Sequence, residues 1–180
     1  APGEYYHVYN RGNGKMDIFK DEQDYLNFLT RLAVLLGLPR GALGIGSELS
    51  AARLRLRLTS FDPGTFSLLC YCIMPNHFHF LIGQQRDISI SSLILRLATS
   101  YSMYFNAKYK HVGHVFQDRF KAVHVGSDSY LRHLSAYIHL NPRTAGLVGE
   151  TAAWKYSSYP EYLGAREDHM CDKALLLGQF

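Results

Sequence analysis

The chain has 180 residues, of which 47% are hydrophobic and 19% charged, and its formal net charge is +4 at pH 7. This length and composition predict one folded domain with a buried core, and they exclude a disordered or low-complexity chain. No apolar run approaches the roughly 18 residues that span a bilayer, so we expect a soluble protein without a membrane partner. The 13 tyrosines and 10 phenylalanines among scattered basic residues favour a polyanionic partner, because nucleobases stack on aromatic rings and phosphates bind cations.

The cysteine count argues against a disulfide scaffold. Only three cysteines occur, so we expect free thiols in a reducing cytosol. Cys70 and Cys72 alternate along one predicted strand and leave a zinc site open as a possibility. No second pair of cysteines completes the usual set of zinc ligands.

The first half of the chain predicts a strand, a helix and an insertion. Residues 5–11 are rich in aromatic and branched side chains and stop at a glycine-rich loop, which indicates a strand. Residues 21–36 place apolar side chains on one helical stripe with acidic residues in the first turn, and Gly37 is expected to end this helix. Residues 37–65 are glycine-rich and contain the alternating run RLRLRL at 53–58. We interpret this segment as an insertion with a basic edge; an ordinary solvated face is the alternative.

The middle of the chain predicts a hairpin, a long helix and another strand. Apolar runs at 66–73 and 77–82 flank a Met-Pro-Asn turn, which indicates two adjacent strands. Helical spacing of apolar residues predicts a helix over 88–109, and strand character returns over 115–125.

A third helix is predicted over residues 128–140. Ser127 is a favourable N-cap, and Asn141-Pro142 is expected to end the helix, because proline disfavours helical backbone in the residue before it. The element order β-α-β-β-α-β-α contains the split β-α-β arrangement of ferredoxin-like folds. We therefore predict an α+β fold with an antiparallel sheet, helices on one face, and an additional helix after the last strand.

His77 and His79 are candidate metal ligands. They alternate within a predicted strand, so both imidazoles leave the same face of the sheet. Two adjacent imidazoles suit a divalent ion but do not complete a site. A pair of partly exposed sheet histidines is the alternative.

A polar stripe marks the third helix. Tyr130, His133, Tyr137 and Asn141 follow the three-to-four spacing that places side chains on one helical face. A helix laid across the sheet would bring the Tyr137 phenol and the Asn141 amide, one turn apart, to the ion held by the histidines. Ordinary core packing is the alternative for a tyrosine at this spacing.

Five short segments occur in this order along the chain: YHVYNRG at 6–12, CIMPNHFHFLI at 72–82, GHVFQDRF at 113–120, YIHLNP at 137–142 and WKYSSY at 154–159. Together they resemble the single-tyrosine HUH transposases, particularly the REP-associated tyrosine transposases. The resemblance runs from residue 5 to about 163 and leaves 37–65 unmatched. It implies a single domain over 1–180, with an insertion at 37–65 and a C-terminal extension after about residue 163.

The resemblance implies strand-transfer chemistry on single-stranded DNA. The family's two metal-binding histidines correspond to His77 and His79, and its nucleophilic tyrosine corresponds to Tyr137. Asn141 corresponds to the third metal ligand, which is asparagine in REP-associated members and glutamine in insertion-sequence members. We therefore expect Mg²⁺ or Mn²⁺ as cofactor and a 5′-phosphotyrosine intermediate.

The resemblance also implies an imperfect DNA hairpin, REP-like, as the partner. We expect phosphate or base contacts from Asn10, Arg11, Lys15, Gln117, Arg119 and Lys121. For the residues within 113–120, an ordinary strand position is the alternative. The protein is expected in the bacterial cytoplasm, associated with the nucleoid when bound to DNA, as a monomer or a homodimer.

Two other functions stay open at this point. A hairpin-binding protein derived from a transposase would bind nucleic acid without cutting it and would form no covalent adduct. A metal-dependent phosphodiesterase that uses water would release both DNA ends free and would leave Tyr137 as a structural residue.

Overall fold

The computed structural model describes residues 1–39, 41–43, 58–167 and 169–178. Its elements are β1 (Glu4–Arg11), α1 (Glu22–Leu35), β2 (Phe66–Met74), β3 (His77–Gln84), α2 (Ile90–Tyr109), β4 (Lys121–His124), α3 (Asp128–Thr144), α4 (Tyr159–Tyr162) and α5 (Ala174–Leu177). The predicted arginine alternation at 53–57 lies outside the described residues. Within the described ranges, no helix is long and apolar enough to cross a bilayer.

The four strands form one antiparallel sheet in the order β2-β3-β1-β4. The central strand β1 thus pairs with β3 on one side and with β4 on the other. This topology confirms the predicted α+β fold with an antiparallel sheet. The helices predicted over 21–36 and 88–109 are confirmed to within two residues at each end.

The first face of the sheet packs against α1 and α2. Val8, Phe78 and Phe80 point from the strands into this core, where they meet Phe28 of α1 and Tyr101 of α2. Burying a large apolar side chain stabilises the fold by roughly 1.5–3 kcal/mol. This core therefore packs against one face of β1 and β3, and the side chains of His77 and His79 leave the opposite face.

A β-bulge in β2 determines which face of the sheet the cysteine side chains occupy. The register of β2 on β3 shifts between Leu68 and Cys70. Cys70 and Cys72 then both face a second, smaller apolar cluster on the opposite side of the sheet. Both are fully buried, and burial raises the pKa of each thiol. Among the described residues, no group of three His, Cys, Asp or Glu side chains that could hold a metal ion includes them, so both cysteines are core residues of this cluster.

The second face of the sheet is covered over β2 and β3 by α3. Leu131, Leu134 and Ile138 form the apolar stripe of this helix and pack into the second cluster. Ser127 caps the helix, as predicted, and its side chain accepts a hydrogen bond from the Tyr130 N–H. All four residues of β4 are exposed, so this helix leaves that edge of the face open.

The predicted end of α3 is wrong, because the helix continues through Asn141 and Pro142. Proline removes a single donor here, the one that would bond the carbonyl of Ile138. The N–H groups of Ala145 and Leu147 donate to the carbonyls of Asn141 and Pro142 and close the following turn. These bonds outweigh the preference against helical backbone before proline.

The strand predicted over 115–125 is also wrong in extent. Regular pairing is confined to β4, and an isolated bridge joins Gly12 to Phe116 further upstream. Between that bridge and β4, residues 117–120 lie opposite only two residues of β1. The longer side cannot stay in register, so these residues bulge out of the sheet; we call them the 117–120 bulge.

Candidate active site

Imidazole and phenol groups cluster on the second face of the sheet, beside α3. Tyr9 of β1 pairs with His79 of β3, and Arg11 pairs with His77. Side chains alternate along a strand, so these four residues share one face with His7, two residues before Tyr9. A row of polar side chains therefore crosses the sheet next to the helix that carries the predicted nucleophile.

The structure brings the two predicted metal-binding histidines together. The rings of His77 and His79 meet edge to face, with centroids 5.1 Å apart. Burial lowers the pKa of both side chains, that of His79 to about 3, and the nearby charge of Arg11 adds to the effect at His77. Both imidazoles are therefore neutral at pH 7, which is the state that binds a metal ion.

Asn76 fixes the ring of His77. The Nδ1 of His77 donates to the Oδ1 of Asn76 at 2.6 Å, and the Nδ2 of Asn76 donates to the carbonyl of Lys15 at 3.2 Å. An amide oxygen only accepts hydrogen bonds, so His77 carries its proton on Nδ1, and its Nε2 has the lone pair that a metal ion would require. Asn76 lies in a segment that carries the family resemblance, but the sequence did not reveal this contact.

His7 is a member of the site that the sequence did not predict. Its Nε2 lies 2.9 Å from the Nδ1 of His79, and the two rings stack with centroids 5.1 Å apart. Burial lowers the pKa of His7 to about 4. The available signal was the alternation of His7, Tyr9 and Arg11 along one strand, which places the three on one face. The pairing of β1 with β3, which supplies the contact, is not visible in that local pattern.

Tyr137 lies beside these imidazoles at the exposed edge of α3. Its ring centroid lies 5.7 Å from that of His79 and 6.3 Å from that of His7, in edge-on contact with both. The residue is 52% exposed, so its side chain is accessible from solvent. Among the described residues, Tyr130 has no ring contact with either imidazole.

Asn141 lies one turn after Tyr137 and is half-buried. Its Nδ2 donates to the carbonyl of Tyr137 at 3.0 Å, which leaves Oδ1 as the atom suited to bind an ion. The described part of the chain holds no group of three His, Cys, Asp or Glu side chains that could bind a metal. Within that part of the chain, a further ligand to an ion bound by both His77 and His79 would come from another residue type. The assignment of Asn141 as a third ligand stays a prediction.

A cavity of about 420 Å³ opens beside His77, between β1 and the 117–120 bulge. Its lining includes all six residues predicted to contact DNA: Asn10, Arg11, Lys15, Gln117, Arg119 and Lys121. The other lining residues are Tyr9, Asn76, His77 and Asp118. Four cationic side chains against one acidic side chain make this cavity suitable for an anion.

Hydrogen bonds across the cavity organise its polar groups. The Nε of Arg11 donates to the Oε1 of Gln117 at 2.5 Å, and the Nδ2 of Asn10 donates to the carbonyl of Asp118 at 3.1 Å. Both bonds join β1 to the 117–120 bulge. Arg11 is held through Nε alone among the described residues, so its two terminal nitrogens remain available for a phosphate.

Part of the chain is similar to transposases. A family model described as IS200-like transposase matches residues 60–141, a segment that contains His77, His79, Tyr137 and Asn141. No curated protein matches the chain.

Solved structures also resemble this chain. One is a REP-associated tyrosine transposase bound to a REP hairpin, with a TM-score of 0.62 and 16% identity over 90% of this chain and 79% of that one. Another is a candidate transposase from Deinococcus radiodurans, with a TM-score of 0.44 and 14% identity over 74% of this chain and 87% of that one. The first similarity shows that the two proteins share a fold.

Proposed function

We propose that this chain, whose residues 60–141 match a family model of IS200-like transposases, is a metal-dependent endonuclease and strand transferase for single-stranded DNA beside hairpins. One observation carries the proposal. The ring of Tyr137, on α3, lies 5.7 Å from the ring of His79, on β3. A nucleophile and two imidazoles that suit a metal ion thus share one solvent-accessible site.

The side chains of this site fit a divalent ion. His77 and His79 are neutral, and the Nδ1 of each is hydrogen-bonded within the protein, so Nε2 is the nitrogen of each ring that would bind the ion. The Oδ1 of Asn141 would be the third protein ligand. When bound, Mg²⁺ or Mn²⁺ would polarise a non-bridging phosphate oxygen and favour attack at phosphorus.

Tyr137 performs the covalent step. Its Oη attacks the phosphorus of the scissile phosphodiester, and the new P–Oη bond forms as the bond to the 3′-oxygen breaks. The phenol loses its proton, and the departing 3′-oxygen gains one. One DNA end is then joined to the protein as a 5′-phosphotyrosine, and the other is a free 3′-hydroxyl. Attack by a second 3′-hydroxyl reverses the step and rejoins DNA without ATP, because the phosphoester bond is conserved in the intermediate.

The basic cavity binds the DNA next to the scissile phosphate. Lys15, Arg119 and Lys121 contact phosphates, and Tyr9 offers an aromatic ring on which a base stacks. The cavity adjoins His77, so DNA held there lies beside the reacting groups. A similar solved structure holds a REP hairpin, which supports a hairpin as the substrate of this chain as well.

The test uses a labelled single-stranded oligonucleotide that carries a hairpin and its flank, taken from DNA adjacent to the gene. Incubation with Mn²⁺ should give a covalent protein–DNA adduct on a denaturing gel, together with a fragment ending in a 3′-hydroxyl. His79→Ala should give no adduct but should still bind the hairpin, because binding depends on the basic cavity. His169→Ala, at an exposed histidine, is the matched control and should react like the wild type.

Other outcomes would assign a different function. Hairpin binding by the wild type with no cleavage at any metal concentration would favour the binding protein derived from a transposase. Cleavage without an adduct would favour the phosphodiesterase that uses water.

A further inference from the structure

We infer that His7 is a positioning residue: its hydrogen bond to the Nδ1 of His79 leaves the Nε2 of His79 as the atom that binds the metal ion. The inference rests on the proposed function, since it takes His79 as a ligand. It adds a residue from β1 to a metal site predicted only from β3 and α3.

The geometry of the two rings carries the inference. The Nε2 of His7 and the Nδ1 of His79 are 2.9 Å apart, and the ring planes lie 21° from parallel. Only one proton fits between two nitrogens at this distance, so one ring donates and the other accepts. When the Nδ1 of His79 donates, its Nε2 carries a lone pair, as a metal ligand must.

The same arrangement occurs at the other histidine of the pair. The Nδ1 of His77 donates to the Oδ1 of Asn76, which fixes the proton on Nδ1. Each metal-binding imidazole therefore has its own partner, Asn76 for His77 and His7 for His79. With both partners in place, the two rings offer equivalent nitrogens to one ion.

Packing alone does not explain a histidine at position 7. Its neighbours in register are apolar on both sides, Leu81 on β3 and Val123 on β4. His7 is 7% exposed, and burying a polar ring costs free energy that an aliphatic side chain would not cost. The hydrogen bond to His79 offsets that cost and gives the position a role in the site.

Neighbouring rings hold His7 in this orientation. Its ring centroid lies 4.8 Å from that of Tyr9 and 6.3 Å from that of Tyr137. A ring packed between two tyrosines has little freedom to turn away from His79. The same packing relates the metal-binding imidazole to the nucleophile.

The first experiment measures Mn²⁺ affinity of the full chain without DNA, from the electron paramagnetic resonance signal of the free ion. His7→Leu removes the acceptor and should weaken binding about 10- to 100-fold, the usual effect of losing a partner of a ligating histidine. His7→Gln, whose Oε1 accepts in place of Nε2, should restore most of the affinity. His139→Leu is the matched control, because His139 is equally buried but bonds Ser158 instead, and its affinity should equal that of the wild type.

A second measurement reads the proton position directly. Two-bond ¹H–¹⁵N spectra of the metal-free wild type should show His79 protonated on Nδ1, and that signature should be lost in His7→Leu. A wild-type His79 protonated on Nε2 would overturn the inference, as would unchanged Mn²⁺ affinity in a folded His7→Leu protein. If His79→Ala binds Mn²⁺ as tightly as the wild type, the metal site of the proposed function fails and the inference fails with it. Unchanged affinity in His7→Leu alone overturns only the inference.

Discussion

The ring of Tyr137 meets the ring of His79 edge-on, with centroids 5.7 Å apart, although the two residues lie in different elements. Leu134 and Ile138, on the apolar stripe of α3, set this distance because they anchor the helix to the same sheet face that carries His79. The exposed edge of the helix is thereby directed at the imidazoles. Core packing on one side of α3 thus places the phenol of Tyr137 beside the imidazole of His79.

The first prediction concerns this nucleophile. Tyr137→Phe removes only the phenolic oxygen, so it should abolish the covalent adduct while leaving hairpin affinity and the free energy of unfolding close to those of the wild type. Tyr130→Phe is the matched control: Tyr130 lies on the same helix, is 41% exposed, and should be dispensable. The measurement is adduct formation on a denaturing gel with peptide mapping. An adduct that persists in Tyr137→Phe, or that maps to Tyr130, contradicts the assignment.

The second prediction concerns the basic cavity. Arg11→Ala and Arg119→Ala should each weaken hairpin binding and should reduce the slope of log affinity against log salt by about 1, because each removes one phosphate contact. Arg86→Ala is the control, since Arg86 lies beyond the opposite end of β3 and pairs with Asp62. The measurement is a salt titration of hairpin affinity. A larger loss in Arg86→Ala than in Arg11→Ala would place the DNA surface elsewhere.

The third prediction tests the loop that supports Asn76. A Cβ atom at Gly12 would lie 2.2 Å from the carbonyl oxygen of Met16 and 2.8 Å from the Cγ2 of Ile18, so Gly12→Ala forces the backbone to move. We expect a loss of about 1–3 kcal/mol in the free energy of unfolding, which is typical of overpacking. Mn²⁺ affinity should also fall, because the Gly12 N–H bonds the carbonyl of Asn76.

The control for this change is Gly149→Ala, where an added Cβ meets nothing within 4 Å. Urea unfolding of both variants at one pH provides the comparison. Equal stability of Gly12→Ala and Gly149→Ala would show that the loop adjusts without cost.

The sequence predicted those parts of the structure that depend on local patterns. Alternation within one strand placed His77 and His79 on one face, and helical spacing placed Tyr137 and Asn141 one turn apart. Family resemblance then connected the strand to the helix, and a family model of IS200-like transposases matches residues 60–141. Each of these inferences uses residues that are close in the chain or a motif known from elsewhere.

The missed features depend on contacts between distant segments. The role of His7 follows from the pairing of β1 with β3, and the 117–120 bulge follows from a mismatch in length between two paired segments. The helix passes Pro142 because backbone bonds beyond it close the turn. A local residue pattern does not show which distant segments will pair, or which of two competing sets of contacts is more stable.

The last prediction concerns the pH dependence of stability in the metal-free protein. Burial lowers the pKa of His7 to about 4, that of His79 to about 3 and that of His139 to about 4. In the unfolded chain these groups titrate near the usual value for histidine, about 6.5. Between that value and the folded pKa, the unfolded chain binds protons that the folded protein does not, so acid favours unfolding.

The stability contributed by these three neutral histidines is therefore fully present above pH 6.5 and is lost as the pH falls toward 4 for His7 and His139 and toward 3 for His79. Each histidine should lower the free energy of unfolding by roughly 1 kcal/mol for each pH unit within that window. Urea unfolding in EDTA at pH 7.5 and at about pH 5.5 measures how much the free energy of unfolding differs between the two pH values. In His139→Gln one titrating group is gone while an amide can still reach Ser158, so the difference should shrink by about 1 kcal/mol. His114 is exposed, so His114→Gln should leave this difference in the free energy of unfolding unchanged. An equal pH dependence in the wild type and His139→Gln would show that His139 is not held neutral by burial.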